Sequence, residues 1–564
     1  MSEANTSAPA DSALPVAAPL RVDNPSSVTW SEECDVLVIG LGAAGAAAAI
    51  AAAEAGARVV VAVRFEGGGA TARSGGIVYG GGGTRSQLAA GYQDTPEAMY
   101  NYLRLETGDS VSERTLRRFC DDSRGLIEWL ESIGASFESS APPPKTSYPK
   151  DGIYLYYSGN EALAGYAEHA PPAPRGHRMR DKGLSGRALF EVLRRRVSQL
   201  GVPVHTGSAV RRLVVDNASG RVIGAELWRF EPGSAAGARH RKLMRRAEAV
   251  HNFAPGYADR LRARALALEL AEAQPKLYRA ARGVVLSTGG FIFNRDMVRQ
   301  YAPKYLATMR LGTTGCDGSG IRLGQTVGAT PARMDKVSAW RFINPPVAWA
   351  QGAVVNASGQ RFCNEASYGA KLGVEMCEHQ NGRAWLILDS QLRRAALRDA
   401  LFGGLWAFQA LPAIVLMLFV RKRATSVEAL AQRIGVPGPA LRQTVEAYNA
   451  AAHHRAADFL GKSGAMLQPL EKAPYYALDI SAGNRACPCP AITLGGLRVD
   501  ETSGEVLNGD GRAIAGLYAA GRAAVGIASN RYVSGLSIAD CLWAGKRAGV
   551  HAAAATAAGQ RNIA

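Results

Sequence analysis

The sequence predicts an α/β protein in which one sheet is assembled from both ends of the chain and an α+β domain is inserted between the halves. Three observations lead there. An apolar strand from Asp35 to Gly40 passes through a glycine turn into an alanine-rich helix and a second strand, Ala57 to Val63, the opening of a βαβ unit. Far downstream, Val284 to Leu286 ends in Ser-Thr-Gly-Gly, and Leu517 to Ala520 ends at Gly521, two strand ends meeting turns. Between them, residues 300–472 carry helices and loops of their own. The expected division is a disordered tail over 1–30, one domain from 31–299 with 473–551, the insert over 300–472, and a C-terminal tail over 552–564.

The chain has 564 residues, enough at roughly 150 per domain for two to four domains without disulfide or metal staples. With 47% apolar and 20% charged residues, a wholly disordered chain is excluded, and its 63 glycines lack a collagen period. A net charge of +17 favours anionic partners such as phosphates, lipid head groups or nucleic acid. Eight cysteines without framework spacing read as reduced thiols of a cytoplasmic protein. Cys487 and Cys489 form a lone C-x-C with no matching pair, so no metal site is expected. Residues 1–30 are rich in Ala, Ser and Pro and lack the basic and apolar regions of a signal peptide.

After the first strands come several glycines, Gly67 to Gly83, then a charged helical stretch from about Thr95 to Ile133. Two later stretches stand apart. Arg239, Arg241, Lys242, Arg245 and Arg246, followed by Arg260, Arg262 and Arg264, read as the solvated face of helices. Ala400 to Val420 has no charge over 21 residues and is followed by Arg421, Lys422 and Arg423. Its length suits a bilayer span. However, Gly403, Gly404, Gln409 and Pro412 interrupt it, and a span would cut the inserted domain in two. Two readings stay open: a buried helix, or a monotopic patch over 400–423 that dips into one leaflet beside anionic head groups, peripheral on the inner membrane face.

Gly40-Leu41-Gly42-Ala43-Ala44-Gly45 is a G-x-G-x-x-G between a predicted strand and a predicted helix. Gly40 permits the tight turn, Gly42 lets the backbone approach a pyrophosphate, and Gly45 allows close helix packing, with the phosphates at the helix N-terminus. This marks a Rossmann-like dinucleotide domain. The acid expected at the end of the second strand to hold the ribose is replaced by Val63. Glu66, three residues on, or backbone groups take that role instead.

Around this hexad the chain resembles the fumarate reductase and ketosteroid dehydrogenase superfamily. The likeness rests on Gly68 to Gly76, Asp317-Gly318-Ser319-Gly320, Val355 to Phe362, and the Gly516 to Gly521 turn, and runs from about residue 31 to 551. It implies a Rossmann-like FAD-binding domain with an inserted catalytic domain. The implied FAD contacts are Gly40, Gly42, Ala43, Ala44 and Gly45 of the hexad; Glu66; and Gly69, Ala70, Thr71, Ser74, Gly75 and Gly76. Farther along they are Thr288, Gly289, Gly290, Asp317, Gly521, Arg522, Ser537 and Ile538. Ala70 to Gly76 holds no histidine, so the FAD is expected to be non-covalent.

Within the superfamily the chain is most similar to the 3-oxo-5α-steroid 4-dehydrogenases, which introduce the C4–C5 double bond of a 3-ketosteroid. Pro172 to His177, Glu365 to Gly369, Ala520 to Arg522 and Tyr532 to Ser537 carry that likeness. It implies Tyr368, Tyr532 and Ser534 as the active-site hydroxyls. A dicarboxylate reductase fits less well, because Ile492-Thr493-Leu494-Gly495-Gly496 lacks the expected histidine. A 1-dehydrogenase is the alternative, although Val533-Ser534-Gly535 replaces its glycine-proline-rich stretch.

The reaction asks for an acidic C–H beside a ketone, donors for the developing enolate oxygen, and a flavin N5 to take hydride from the β carbon. Tyr368 and Ser534 are expected to handle the C4 proton, with Tyr532 polarising the C3 carbonyl or relaying the proton; the roles are exchangeable. Tyr532 and Ser534 share a face only in an extended segment. His177 reads as structural, and Tyr156, Tyr157 and Trp340 read as core or surface packing residues, with lining of the steroid pocket as the alternative. A third reading, a flavin sensor gripping nucleic acid, has neither helix-turn-helix spacing nor aromatic interleaving behind it, so no nucleic acid is expected.

Overall fold

The computed structural model describes residues 13–140, 147–455 and 457–556. The first strand of the Rossmann unit, Glu32–Ile39, sits inside a nine-stranded sheet, flanked by Val59–Val63 and Gln274–Leu286, both parallel to it. Val36, Leu37, Val38 and Ile39 are all buried, as a strand covered on both faces requires. Gln274–Leu286 joins the two ends of the chain. Its first half pairs antiparallel with Val222–Arg229, and its last three residues pair parallel with Ala513–Ala519.

One face of the sheet carries the helices Ala43–Glu54 and Leu536–Ala554. They approach so closely that a Cβ on Gly545 or Gly549 would lie 2.3 Å from the carbonyl oxygen of Ala44 or Ala48. Small side chains on both helices therefore lock the two ends of the chain together. The charged stretch after residue 95 forms two helices, Pro96–Thr107 and Glu113–Ser132, divided at Gly108, whose φ is +56°.

The expectation of a disordered tail over 1–30 is corrected for its described part. Leu20–Val22 adds a parallel strand to the edge strand Ser208–Asp216, and Leu14 is buried against Ala209 and Leu266. An open sheet edge offers unpaired backbone groups, and this segment satisfies them. Residues 1–12 and 557–564 lie outside the described residues, and the last helix continues to Ala554, past the expected boundary at 551. The basic cluster lies on helices as expected, with Arg239, Arg241, Lys242, Arg245, Arg246, Arg260 and Arg264 exposed and Arg262 buried. It forms a helical hairpin, Ala235–Val250 and Pro255–Glu272, whose inner positions Gly237, His240, Met244 and Ala247 are buried.

The inserted region is built on an antiparallel sheet ordered Ala353–Val355, Trp385–Leu388, Tyr475–Asp479, Lys422–Ala424. Tyr475–Asp479 lies beyond residue 472 yet is central to this sheet. The uncharged run splits into the end of Ser390–Phe402, the helix Ala407–Val415 and a π-helical turn Leu416–Val420. Ala413, Leu416 and Met417 point inward, while Phe402, Leu411 and Phe419 are exposed, so a wholly buried helix is excluded. Among the described residues no helix is long and apolar enough to cross a membrane.

Candidate active site

The hexad glycines act as the spacing predicts. Gly40 has φ +107°, and a Cβ there would sit 2.6 Å from Ser287 O; one on Gly45 would sit 2.1 Å from Gly40 O. A Cβ on Gly42, by contrast, would meet Thr71 Oγ1 at 3.5 Å and Gly68 O at 3.9 Å, both ordinary contacts. Gly42 caps the helix Ala43–Glu54 without a side-chain acceptor, so most of the first-turn N–H groups face the cleft, while Ala43 N–H donates to Thr71 Oγ1 at 3.0 Å.

This helix end opens on a cavity of about 860 Å³. Of the expected cofactor residues, Gly40, Gly42, Ala43, Ala44, Glu66, Gly69, Ala70, Thr71, Thr288, Gly289, Asp317 and Arg522 line it. The others stand behind the wall. Ser74 Oγ donates to Thr71 O and accepts from Gly76 N–H, and Gly75 O accepts from Tyr148 and Ser185. Gly45, Gly290 and Gly521 leave room for neighbouring backbone or side chains, and Ser537 and Ile538 are buried in the last helix.

The fit to FAD rests on features of the cleft. Arg522 Nη1 is buried with no hydrogen-bond partner among the described residues, a donor in want of an acceptor. Gly69, at φ +48°, has nothing within 4 Å of where its Cβ would be. A helix N-terminus, an orphaned guanidinium N–H and an open backbone along one elongated cavity suit a dinucleotide.

Two expectations about the adenosine end take a different form. Asp317 lines the cleft, but its carboxylate accepts from Leu14 N–H and Ser319 N–H, each at 3.0 Å, and pairs with Arg64 at 2.9 Å. Arg64 in turn pairs with Glu269 of the hairpin at 3.0 Å. Glu66 stands on the rim, largely exposed, 4.0 Å from Arg241. Sequence reasoning missed the hairpin as a wall of the cleft, where His240, Arg241, Met244, Arg245 and Glu248 line it. The signal was present: the buried positions 237, 240, 244 and 247 recur at helical spacing inside the basic run.

Tyr368, Tyr532 and Ser534 come together at the junction with the inserted region. Tyr368 precedes the helix Gly369–His379, and its N–H donates to Asn160 Oδ1 at 2.7 Å. Tyr368 and Tyr532 share an apolar cluster with Trp340, Phe342, Ile492 and Leu494. Tyr532 meets Trp340 edge to face, with ring centroids 4.8 Å apart. Ser534 is held by Gly535, whose carbonyl accepts from Tyr79 N–H at 3.2 Å. Val533 turns the other way into the core under the helices, so Tyr532 and Ser534 share the pocket side. Tyr156 Oη lies 3.5 Å from Ser534 Oγ.

Electrostatics keep these phenols protonated. Burial pushes Tyr368 well above the ordinary value of 10, neighbouring Tyr532 and Tyr156 add to it, and a hydrogen bond with Ser534 opposes it. Burial pushes Tyr532 up to about 12, and Tyr156 higher still. His177 is fully buried, 2.8 Å from Thr84 Oγ1, and burial takes its pKa down to about 4. It is a neutral, buried residue of the short strand Gly176–Arg178. Tyr157 is drawn off toward Tyr92, whereas Tyr156 and Trp340 stand at the hydroxyl group.

Beneath Tyr368, Glu365 is completely buried and accepts from Arg361 at 2.7 and 2.9 Å, from Lys462 at 3.2 Å and from Val354 N–H at 2.8 Å. Arg361 also pairs with Asp458. The Val355 to Phe362 motif thus anchors the loop that carries Tyr368.

The chain matches the FAD binding domain family over residues 35–538. It is 42% identical over 522 residues to the 3-oxo-5-alpha-steroid 4-dehydrogenase of Comamonas testosteroni, spanning 90% of this chain and 96% of that one. It is 26% identical over 622 residues to the 3-oxosteroid 1-dehydrogenase of Mycolicibacterium smegmatis, spanning 94% and 99%. Among solved structures it is similar to the 3-ketosteroid-delta4-(5alpha)-dehydrogenase of Rhodococcus jostii RHA1 in complex with 4-androstene-3,17-dione. The TM-score is 0.79, with 32% identity over 95% of this chain and 100% of that one. With the dinucleotide cleft, the inserted sheet and the whole-length likeness in agreement, the chain belongs to the FAD binding domain family, among its 3-ketosteroid dehydrogenases.

Proposed function

We propose that this enzyme dehydrogenates a 3-ketosteroid between C4 and C5, with Tyr368, Tyr532 and Ser534 as its catalytic residues. The observation that carries the reading is the convergence of these three hydroxyls within one apolar pocket, alongside the likeness to 4-dehydrogenases. When bound, FAD supplies the two-electron oxidant for the C5–H bond.

The residues supply the proton chemistry. A C4 proton becomes acidic only while charge developing on the C3 oxygen is stabilised. Burial keeps the Tyr532 phenol protonated, so its O–H is available as a donor to that oxygen. Tyr368 is too firmly protonated to stand as a phenolate. It therefore takes the C4 proton only as it passes its own to Ser534, which passes one to Tyr156, 3.5 Å away, and Tyr156 in turn gives one up to solvent water, the final acceptor. The apolar cluster keeps water from the Tyr368 end of this relay.

Steroids partition into membranes, and peripheral attachment through residues 400–423 is the proposed route of delivery. The test of the catalytic assignment is anaerobic mixing with a saturated 5α-3-ketosteroid, following flavin absorbance. The wild-type flavin should bleach. Tyr368→Phe and Tyr532→Phe should keep their flavin and slow bleaching by about 10²- to 10⁴-fold, the usual range for a positioned acid or base. Unchanged rates in both would overturn the assignment.

A further inference from the structure

The helix Ala407–Val415 is apolar on both sides, which a surface helix is not unless something covers it. Phe408, Leu411 and Val415 recur at helical spacing along its outer side, and Phe402 and Phe419 flank them, 82% and 78% exposed. Together they make a contiguous apolar ridge rather than scattered surface residues. Around it the charge is of one sign. Between residues 390 and 423 stand Arg393, Arg394, Arg398, Arg421, Lys422 and Arg423 against the single acid Asp399. Arg421 Nε is buried with no hydrogen-bond partner among the described residues.

The ridge is also wired to the active site. Trp406 Nε1 donates to Pro149 O at 3.1 Å and Gln409 Nε2 to Tyr148 O at 3.2 Å. The Tyr148 ring lies 6.4 Å from Trp406 and 6.3 Å from Phe408. Tyr148 shares a cluster with Ile77 and Tyr156, and Tyr156 reaches Ser534. An apolar path through Phe408, Tyr148, Ile77 and Tyr156 thus runs from the exposed helix to Ser534.

Resting on the steroid reading above, we propose that this ridge docks on an anionic bilayer surface and that the steroid passes from the lipid into the pocket along the Phe408–Tyr148–Tyr156 wall. A second copy of the chain would bring the same cations face to face, which like-charge repulsion opposes, whereas anionic head groups complement them. An apolar substrate moving this way avoids water, at roughly 25 cal/mol for each Å² kept buried.

The test uses the holoenzyme and two vesicle types, phosphatidylglycerol with phosphatidylethanolamine, and phosphatidylcholine alone. Wild type should sediment with the first, release in high salt, and bind the second weakly. The triple variant Phe402→Ser, Leu411→Ser, Phe419→Ser, altered only at exposed positions, should lose more than about tenfold of its binding. It should turn over cyclodextrin-delivered steroid at the wild-type rate and vesicle-borne steroid more slowly. Lys422→Glu with Arg423→Glu should weaken only the anionic-vesicle binding. Equal sedimentation of wild type and triple variant would overturn the proposal. So would a wild-type dimer in sedimentation velocity that the triple variant abolishes without any vesicle binding. Vesicle binding that follows the predicted pattern with no steroid turned over in either format would uphold the docking surface and reject the steroid reading.

Discussion

Tyr368, Tyr156 and the pair Tyr532 and Ser534 come from three separate segments of the chain; Tyr368, Tyr156 and Ser534 are buried and Tyr532 is partly buried. For Tyr156 the consequence is measurable. A neutral hydrogen bond is worth about 0.5–1.5 kcal/mol, so Tyr156→Phe should lower kcat about two- to tenfold, leave KM unchanged and alter the solvent isotope effect. An unaltered kcat would remove Tyr156 from the relay. Two buried histidines set a pH dependence. His177 and His251 both fall to about 4 in the folded protein, mainly through burial. Between that value and the ordinary 6.5, the unfolded chain takes up protons that the folded chain refuses. Stability should therefore decline as pH falls from about 6.5 toward 4, with the unfolding midpoint in urea as the readout, and His177→Gln should flatten part of that slope. The catalytic trio was legible only through resemblance, since nothing in the sequence separates Tyr368 from eighteen other tyrosines. The state of Asp317 was not legible: it depends on Leu14 and Arg64, brought from some 300 and 250 residues away.

At the scale of elements, the loop that presents Tyr368 depends on a buried ionic cluster. Glu365 is held below its ordinary value; burial alone would raise it, and Lys462 and Arg361 outweigh that. Glu365→Gln leaves Lys462 and Arg361 underpaired in a dry site, and destabilisation of about 3–5 kcal/mol by denaturant titration is the expected result. The same sign means that Glu365 contributes fully above pH 4.5 and less as acid is added through its lower folded value. The edge segment Ala13–Val22 is a second case. Its Ala and Pro content carries no periodicity and reads as disorder, yet Leu14 is buried, Val16 packs against the core, and Arg322 donates to the Leu14 carbonyl at 2.6 Å. Deleting residues 1–19 should make FAD dissociate more readily, by about tenfold if one buried leucine's worth is lost, as read by the fluorescence of released flavin. The βαβ opening, by contrast, was legible to within a few residues, because strand, glycine turn and alanine helix each have a local cause.

Across the whole molecule, the nine-stranded sheet depends on Gln274–Leu286 holding Glu32–Ile39 and Ala513–Ala519 together, and on the glycines of the last helix fitting against the alanines of the first. That assembly from both ends was readable from strand endings far apart in sequence. The course of Tyr475–Asp479 was not, since a five-residue strand beyond residue 472 carries no mark of which sheet it enters. The central claim is that this scaffold directs oxidation to C4–C5 of a 3-ketosteroid. The most direct measurement is the product of a single anaerobic turnover with a saturated 5α-3-ketosteroid, identified by mass spectrometry and NMR. The account predicts the 4-ene as the first product, formed as the flavin bleaches; a 1-ene alone, or no steroid product, would contradict it.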